Sequence, residues 1–233
     1  MTHSGEPAIA LVTGASRGLG AAIAEVAAGA HSHIIVCGRT VGALEELDDR
    51  IREKGGAASL AVTDICDIPS LLKLADNIQT RWGRLDLLVH AAIHVPPLSP
   101  VAHGTAEDLG KAARTNLLAT ERLIAICDPL LKRSSRAAAI FFDDPRGGQS
   151  FCGRYASTKA AQIALARCWQ SESRKLGIHV AVVQPQPMRT ALRMRFYPGE
   201  DRADLAEPMQ EARRITTQLQ ESYPETFDWL NNP

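Results

Sequence analysis

Short apolar runs of β-forming residues alternate with longer runs of helical spacing along most of this chain. The β-rich runs are AIALVTG, HIIVCGR, AASLAVTD, LDLLVHAAI, AAAIFF and IHVAVVQP. Between them, apolar residues recur at intervals of three and four, as in amphipathic helices, and residues 105–134 are predicted as one long helical region. Strands that alternate with helices predict an α/β fold, a three-layer sandwich in which helices cover both faces of a parallel sheet of six or seven strands.

Length and composition indicate a single domain over residues 1–233. A chain of 233 residues that is 45% hydrophobic can bury a sizeable core, and it contains no internal repeat or low-complexity linker. After the sixth β-rich run the chain becomes more polar. Residues 188–233 are therefore predicted to form a substrate lid and a C-terminal helical tail.

The charge balance gives no reason to expect a nucleic-acid or membrane partner. Lys plus Arg and Asp plus Glu both number 26, so the formal net charge is zero. No apolar run approaches the roughly 18 residues of a membrane span, and the first residues do not follow the pattern of a signal peptide. The five cysteines are scattered without CxxC spacing, so we expect a cytoplasmic protein with reduced thiols and no metal site.

A glycine-rich loop, TGASRGLG at residues 13–20, joins the first predicted strand to the first helix. Glycines there allow a tight turn and let the backbone approach a pyrophosphate at the helix N-terminus, where free N–H groups favour an anion. The spacing G-x-x-x-G-x-G differs from the usual G-x-G-x-x-G fingerprint. We interpret the loop as part of a Rossmann-type dinucleotide site; a merely tight strand-to-helix turn is the alternative.

The residues that end the second strand indicate which dinucleotide binds. An NAD site commonly has an acidic residue there to hold the ribose 2′-hydroxyl. Here Gly38 and Arg39 follow the strand, and Arg17 lies inside the glycine loop. Guanidinium groups suit a 2′-phosphate because they offer a planar fork to phosphate oxygens. The pattern favours NADP(H) over NAD(H); the alternative is that Arg39 is a solvated charge at a helix start.

Tyr155 and Lys159 form a Tyr-x-x-x-Lys pair in a predicted helix. Because they are four residues apart, their side chains share one face of that helix. A tyrosine hydroxyl, with a reference pKa of about 10, is a poor base at neutral pH unless a cation lies close. The pair is a candidate for proton transfer; a surface tyrosine stacked over a lysine stem is the alternative.

Together these motifs resemble the classical branch of the short-chain dehydrogenase/reductase family, from about residue 8 to residue 190. The segments VHAAI, TNLLAT and PQPMRTAL fall where that family has its strand-four signature, its catalytic asparagine and its Pro-Gly-x-x-x-Thr segment. The segment MRTALRMRFYPGED is similar to a bacterial subgroup of uncharacterised members. The resemblance implies an NADP(H)-dependent oxidoreductase that interconverts the carbonyl and alcohol forms of a small molecule.

The resemblance also implies a role for each matching residue. Tyr155 would be the general acid and base, and Lys159 would bind the nicotinamide ribose and lower the pKa of Tyr155. Asn116 would kink its helix and hold a water in a proton relay to Lys159, unless it is ordinary helix surface. Thr190 would bond the nicotinamide carboxamide, unless it is only a turn residue. The implied cofactor-binding residues are Gly14, Ser16, Arg17, Gly18, Leu19, Gly20, Arg39, Asp64 (at the adenine), Ala92, Tyr155, Lys159 and Thr190.

The family's catalytic serine is replaced in this chain. It usually lies about thirteen residues before the tyrosine, a position that Phe142 occupies here. The missing hydroxyl would polarise the substrate carbonyl, and losing one such donor can cost about 10²–10³ in rate. Asp143 could substitute if burial kept its carboxyl protonated, or Ser150 could reach in from the loop. The alternative is that DDPRGG is only a solvated turn.

Other departures lie at the nicotinamide end of the predicted site. Ala91 and Ile93 replace an Asn and a Gly of the strand-four signature, Gln186 replaces the glycine of Pro-Gly, and the family's final strand is not recognisable. A second hypothesis is therefore an NADP(H)-binding protein without turnover, acting as a sensor or partner subunit. A third is a purely structural protein without a ligand.

The resemblance further implies a homodimer or homotetramer, built through the helices near residues 106–133 and 154–176. The second helix carries residues that could pack closely against another copy or could face the protein's own sheet. They are Ala160, Ala161, Ile163, Ala164, Leu165 and Trp169. Without a final strand, strand six would be a sheet edge that the C-terminal helix covers. The arginines of residues 192–197 indicate either an anionic substrate or solvated lid charges.

Overall fold

Six parallel strands form a sheet in the order β3-β2-β1-β4-β5-β6 in this computed structural model, which describes residues 6–230. The strands are β1 (Ala8–Thr13), β2 (Ser32–Gly38), β3 (Ala57–Val62), β4 (Leu87–His90), β5 (Ala138–Phe142) and β6 (His179–Val183). Each lies on its predicted β-rich run, so the predicted Rossmann-type α/β fold is confirmed. The predicted domain and tail also include residues 1–5 and 231–233, which lie outside the described residues.

Helices cover both faces of the sheet. They are α1 (Gly18–Ala27), α2 (Val41–Glu53), α3 (Ile68–Trp82), α4 (Ala106–Ala113), α5 (Ala119–Leu131), α6 (Gly153–Ser173), α7 (Ala191–Phe196) and α8 (Pro208–Ser222). Successive strand residues point to opposite faces. In β1, Val12 therefore packs in one apolar cluster with Ile23 of α1, and Leu11 packs in a second with Leu123 of α5. No helix within residues 6–230 combines the length and hydropathy needed to cross a membrane.

The long helical region predicted over residues 105–134 is interrupted. After α4 ends at Ala113, a π-helical turn follows at Arg114–Leu118, and α5 begins at Ala119. Asn116 lies in this turn and is fully buried, so it is not ordinary helix surface. A π turn inside an α-helix is frequent at functional sites. The structure thus breaks the helix at Asn116, the residue at which the resemblance implied a kink.

The C-terminal helix α8 packs on α1. Its buried residues Ala212, Ile215 and Leu219 join the apolar cluster to which α1 belongs. We predicted that this helix covers the edge of strand six, and this was wrong. The helix lies against one face of the sheet because its apolar stripe packs against α1. At the edge strand β6, the ring of His179 contacts the ring of Tyr223, with their centroids 5.0 Å apart.

The outward face of α6 is narrower than the sequence indicated. Ala160 and Ala164 are exposed, whereas Ile163 and Trp169 are buried. The Trp169 ring meets the Phe141 ring edge-on, with their centroids 6.1 Å apart. The two large residues therefore belong to the protein's own core, and of the six residues named, Ala160 and Ala164 face outward.

The docking of α8 on α1 predicts that Ile215 is needed for stability. The substitution Ile215→Ala empties a site that is 1% exposed, so the free energy of unfolding should fall by about 2–4 kcal/mol. Urea unfolding followed by circular dichroism measures the change. Thr217→Ala, at an exposed position of the same helix, is the control and should change stability by less than about 0.5 kcal/mol. Equally small losses for both variants would contradict this docking.

Candidate active site

A cavity of about 760 Å³ opens at the carboxyl ends of the strands. Its walls come from the loops after all six strands and from α7. β1 and β4 are neighbours in the sheet but not in sequence, so the loops after them diverge. In open α/β sheets ligands bind at this switch point, and the volume is within the roughly 300–1,000 Å³ of ligand sites. The part of the chain described here contains no group of three or more His, Cys, Asp or Glu side chains placed to hold a metal ion.

The glycine loop fits against the end of β4 because two of its residues have no side chain. A Cβ atom at Gly14 would lie 2.5 Å from the backbone nitrogen of Ala92, and one at Gly20 would lie 2.5 Å from the carbonyl oxygen of Gly14. Gly14 also has a φ angle of +70°, in the left-handed region that favours glycine. The loop therefore needs these glycines for its shape, whatever it binds.

The first turn of α1 faces the cavity. The helix begins at Gly18; Arg17 at its N-cap makes no side-chain capping bond, and the first turn holds no acidic residue. Ser16, Leu19 and Gly20 line the cavity together with these two. A helix N-terminus leaves N–H groups free to bind an anion. The predicted glycine-loop residues therefore form a cradle that fits a pyrophosphate.

Positive side chains lie at the end of the cavity next to β2. Arg17 and Arg39 line it there, and β2 ends at Gly38, where a Cβ atom would clash with the Ser16 hydroxyl. Asp64 lies 3.6 Å from the Arg39 guanidinium, and neither side chain is buried. The carboxylate predicted to contact the adenine thus faces the arginine predicted to read the 2′-phosphate.

Tyr155 and Lys159 lie at the other end of the cavity, buried on one face of α6 as their spacing predicted. The Tyr155 hydroxyl donates to Asp144 Oδ2 at 2.9 Å, and Lys159 Nζ donates to Gln162 Oε1 at 2.7 Å. Burial raises the pKa of Tyr155, and the nearby Asp144 raises it further. Burial lowers the pKa of Lys159 to about 8. The implied lowering of the Tyr155 pKa was therefore wrong, because the hydroxyl is buried and faces a carboxylate.

The residue in the family's serine position has no side-chain group that could form a hydrogen bond. Phe142 is 8% exposed and packs in the core at the end of β5. Neither predicted substitute contacts Tyr155 directly: Asp143 lies 4.0 Å from an arginine of α6, and Ser150 is exposed outside the cavity wall. The side chain bonded to the tyrosine is Asp144, which the sequence analysis missed.

Arg146 holds Asp144 in place. Its Nε donates to Asp144 Oδ2 at 2.8 Å, and its Nη1 donates to the Tyr197 hydroxyl at 3.2 Å. Its guanidinium carbon lies 3.8 Å from the centre of the Phe196 ring. The Tyr155 ring also faces Phe196, at a centroid distance of 5.0 Å. The C-terminal end of α7 thus packs against the tyrosine ring and against the arginine that holds Asp144.

Thr190 and the lid arginines make local contacts. The Thr190 hydroxyl accepts a bond from the Arg193 backbone N–H at 3.2 Å and caps α7, while the residue also lines the cavity. Of the two arginines in residues 192–197, Arg193 donates through Nε to Glu200 at 2.6 Å, and Arg195 lines the cavity. The ion pair supports the alternative of a neutralised surface charge for Arg193, and the anionic substrate stays a prediction for Arg195.

Asn116 joins the loop after β4 to α6. Its Oδ1 accepts from the His94 N–H at 2.8 Å, and its Nδ2 donates to the His94 carbonyl oxygen at 2.9 Å and to Thr158 Oγ1 at 3.0 Å. Because His94 lines the cavity, these bonds fix one of its walls. The water relay from Asn116 to Lys159 stays a prediction.

A buried polar chain behind Lys159 was not predicted from the sequence. His90 shares hydrogen bonds of 2.8 Å with Thr13 through Nδ1 and with Thr120 through Nε2. Gln162 joins the chain by donating to Thr120 at 2.9 Å while it accepts from Lys159. Burial and the Lys159 charge lower the pKa of His90 to about 3. The ring is therefore neutral at neutral pH, and the chain holds the lysine amine at a fixed point.

Comparison with known families agrees with this geometry. The model of the short chain dehydrogenase family matches residues 8–201. The chain therefore belongs to the short-chain dehydrogenase family, and the resemblance seen in its motifs is confirmed.

Curated relatives of this chain are about one third identical to it. Identity is 32% over 188 residues with L-fucose dehydrogenase of Oryctolagus cuniculus, covering 79% of this chain and 64% of that protein. Identity is 33% over 186 residues with a tropinone reductase homolog of Arabidopsis thaliana, covering 78% and 70%. The chain matches about two thirds of the length of these relatives.

Solved structures share the fold over nearly the whole chain. A protein of Pseudomonas syringae described as a short chain dehydrogenase superposes with a TM-score of 0.87 at 28% identity, covering 95% of this chain and 91% of that one. One of Escherichia coli CFT073, complexed with NADPH, has a TM-score of 0.84 at 25% identity and covers 96% and 93%.

The buried neutral histidine predicts a loss of stability in mild acid. The unfolded chain binds a proton at His90 below a pKa of about 6.5, whereas the folded protein does so only near pH 3. The free energy of unfolding should therefore fall as the pH is lowered from about 6.5 towards 3, by up to about 1.4 kcal/mol per pH unit from this group.

The substitution His90→Asn should flatten that dependence, and urea unfolding at several pH values measures the slope. His103→Asn, at an exposed histidine, is the control and should keep the wild-type slope. An unchanged slope in His90→Asn would contradict a neutral buried ring.

Proposed function

We propose that this protein is an NADP(H)-dependent oxidoreductase that interconverts a carbonyl and an alcohol on a small molecule, with an atypical active site. The observation that carries the proposal is the placement of Tyr155 and Lys159 one helical turn apart, buried at one end of the cavity. The glycine loop and the N-terminus of α1 lie at the other end. A hydroxyl that can exchange a proton therefore adjoins a space with room for a dinucleotide.

The residues along the cavity fit the parts of this cofactor in order. The first turn of α1 would hold the pyrophosphate through its N–H groups, and Asp64 would lie near the adenine. Lys159 would donate to the ribose beside the nicotinamide, and Thr190 would bond the carboxamide. A bound nicotinamide supplies or accepts the hydride. Tyr155 would exchange the proton with the substrate oxygen.

The charges beside β2 support NADP(H) as the cofactor. Arg17 and Arg39 line the cavity there, and the strand ends at Gly38 without a carboxylate to hold a ribose 2′-hydroxyl. Guanidinium groups bind a phosphate through paired hydrogen bonds. The related Escherichia coli structure complexed with NADPH is consistent with this preference.

Two observations favour a second candidate, an NADP(H)-binding protein without turnover that acts as a sensor or partner subunit. The Tyr155 hydroxyl already donates a hydrogen bond to Asp144, and Phe142 provides no hydroxyl in place of the family's serine. In this candidate the cofactor binds, but neither carbonyl nor alcohol reacts.

We also propose that residues 188–233 contain the substrate lid and that the protein is a homodimer or homotetramer. The lid proposal is supported by Phe196 of α7, which contacts the Tyr155 ring. The assembly is supported by Ala160 and Ala164, exposed small residues that allow two α6 helices to approach closely. Light scattering during size-exclusion chromatography should give the mass of two or four copies, and the mass of one copy would contradict the assembly.

Arg39→Ala should weaken NADPH binding about 10–100-fold and leave NADH binding nearly unchanged, because NADH lacks the 2′-phosphate that the guanidinium would bond. Fluorescence titration with each nucleotide measures both affinities. Arg52→Ala removes an exposed arginine that pairs with Asp48 on α2 and should bind NADPH like the wild type. Equal losses for both nucleotides in Arg39→Ala, or no binding by the wild type, would count against NADP(H).

Tyr155→Phe should lower turnover by about 10²–10⁴-fold while NADPH affinity stays within a few fold, because only the proton-exchanging hydroxyl is lost. The measurement is NADPH oxidation or NADP⁺ reduction over a panel of aldehydes, ketones and alcohols. A wild type that binds NADPH tightly but turns over nothing in the panel would favour the sensor candidate. A Tyr155→Phe variant that is as active as the wild type would contradict the role of the hydroxyl.

A further inference from the structure

Asp144 lies where two hydrogen bonds from buried donors meet. Its Oδ2 atom accepts one bond from the Tyr155 hydroxyl at 2.9 Å and another from Arg146 Nε at 2.8 Å. Tyr155 and Arg146 are buried, whereas the Asp144 side chain is 29% exposed, so the carboxylate is partly open to solvent. The Tyr197 hydroxyl and the Phe196 ring hold the guanidinium in turn. The carboxylate is therefore kept in one orientation beside the tyrosine oxygen.

The direction of the Tyr155 bond decides which way a proton can move. A carboxylate oxygen that accepts from Arg146 can only accept from the tyrosine as well, so the hydroxyl is the donor. The Tyr155 proton then points at Asp144, and the lone pairs of the phenolic oxygen are left for the cavity. An alcohol hydroxyl can donate to those lone pairs, whereas a carbonyl oxygen cannot.

Burial and the charges around Tyr155 disfavour a free tyrosinate. The ionisable groups that face Tyr155 or its partners are Asp143, Asp144, Arg146, Lys159 and Tyr197. Burial raises the pKa of Tyr155, the two carboxylates raise it further, and Arg146 offsets only part of this. Asp144, whose carboxylate already accepts the Tyr155 hydrogen bond, is therefore the base placed to take up the proton when an alcohol is oxidised.

We propose that Asp144 is the terminal proton acceptor of the site, acting through Tyr155, and that the site is built to oxidise an alcohol. The substrate O–H bond breaks and its proton moves to the Tyr155 oxygen, while the Tyr155 proton moves to Asp144 Oδ2. The substrate C–H bond also breaks, its electron pair leaves as a hydride to the oxidised cofactor NADP⁺, and the alcohol becomes a carbonyl. This inference rests on the proposed function, which supplies NADP⁺ as the oxidant.

Asp144 thereby has a different role from the family's serine, whose position Phe142 occupies. A serine hydroxyl donates to the substrate oxygen, whereas the Asp144 carboxylate receives the proton that the substrate gives up. In alcohol oxidation Asp144 gains that proton through Tyr155. In carbonyl reduction the relay runs backwards, and Asp144 returns the proton through Tyr155 to the substrate oxygen.

Tyrosine ionisation in the protein without nucleotide tests the pairing directly. Tyr155, Tyr197 and Tyr223 are the tyrosines of the chain. The ultraviolet absorbance of tyrosinate follows their ionisation as the pH is raised. Subtracting the titration curve of Tyr155→Phe leaves the contribution of Tyr155. Asp144→Asn should lower the pH at which Tyr155 ionises by about 1–3 units, because a like charge next to the hydroxyl is removed. Asp143→Asn is the matched control and should shift it less, since Asp143 does not bond the hydroxyl. Asp144→Ser repeats the measurement if the Asn variant does not fold.

Coincident curves for the wild type and the Asp144 variants would overturn the pairing, as would an equal shift in Asp143→Asn. A shift that is larger in the Asp144 variants than in Asp143→Asn supports it.

Alcohol oxidation tests the proton transfer itself. With NADP⁺ and cyclohexanol, 1-phenylethanol or benzyl alcohol, Asp144→Asn should lose about 10²–10⁴ in kcat at neutral pH. Its rate should recover at alkaline pH, where Tyr155 ionises by itself, and NADPH affinity should stay near the wild-type value. A merely structural role would lower the rate at every pH.

A wild-type pH profile in Asp144→Asn would overturn the relay. NADPH binding by the wild type without oxidation of any alcohol would instead count against the proposed function, and the tyrosine titration would still decide whether Asp144 and Tyr155 are paired.

Discussion

The contact between the backbone after β1 and the backbone after β4 sets the geometry on which the site depends. A Cβ atom at Gly14 would lie 2.5 Å from the Ala92 nitrogen, so the two chain segments can meet only if residue 14 is glycine. This contact brings the N-terminus of α1 to the switch point of the sheet, where its free N–H groups face the cavity. A bulkier residue would force the loop away and move the start of the helix with it.

At the end of the cavity that holds Tyr155, ionisable groups lie wholly or partly out of solvent and each needs a hydrogen-bond partner. Lys159, His90 and Asp144 are each held by short hydrogen bonds to neighbours fixed in the fold, because an unpaired buried charge or polar group would be costly. The low dielectric of such surroundings strengthens every charge interaction. It also explains why the tyrosine hydroxyl keeps its proton, since burial and two carboxylates raise its pKa by more than the Arg146 guanidinium lowers it.

Much of the fold could be predicted from the sequence because strands, helices and tight turns are encoded locally. The β-rich runs gave strands at their predicted places, and the glycine loop gave the tight turn before α1. The Tyr155 and Lys159 spacing placed both side chains on one buried face of α6. Each of these features depends on residues that are close in sequence, so periodicity and residue type were enough.

The contacts that join distant segments could not be predicted in the same way. The hydrogen bonds of His90 with Thr120 and of Thr120 with Gln162 depend on how β4, α5 and α6 pack. The docking of α8 on α1 depends on which apolar stripe finds a partner. The contact of Asp144 with Tyr155 could not be predicted either, because Asp144 lies in the loop after β5, where the alternation of strand side chains no longer applies.

A crystal structure of the protein with NADP⁺ bound would test the central claim most directly, namely that this cavity is a working NADP(H) site. Our account predicts the pyrophosphate at the first turn of α1, the 2′-phosphate beside Arg17 and Arg39, and the nicotinamide within reach of the Tyr155 hydroxyl. A dinucleotide bound elsewhere, or one whose nicotinamide lies away from Tyr155, would contradict it.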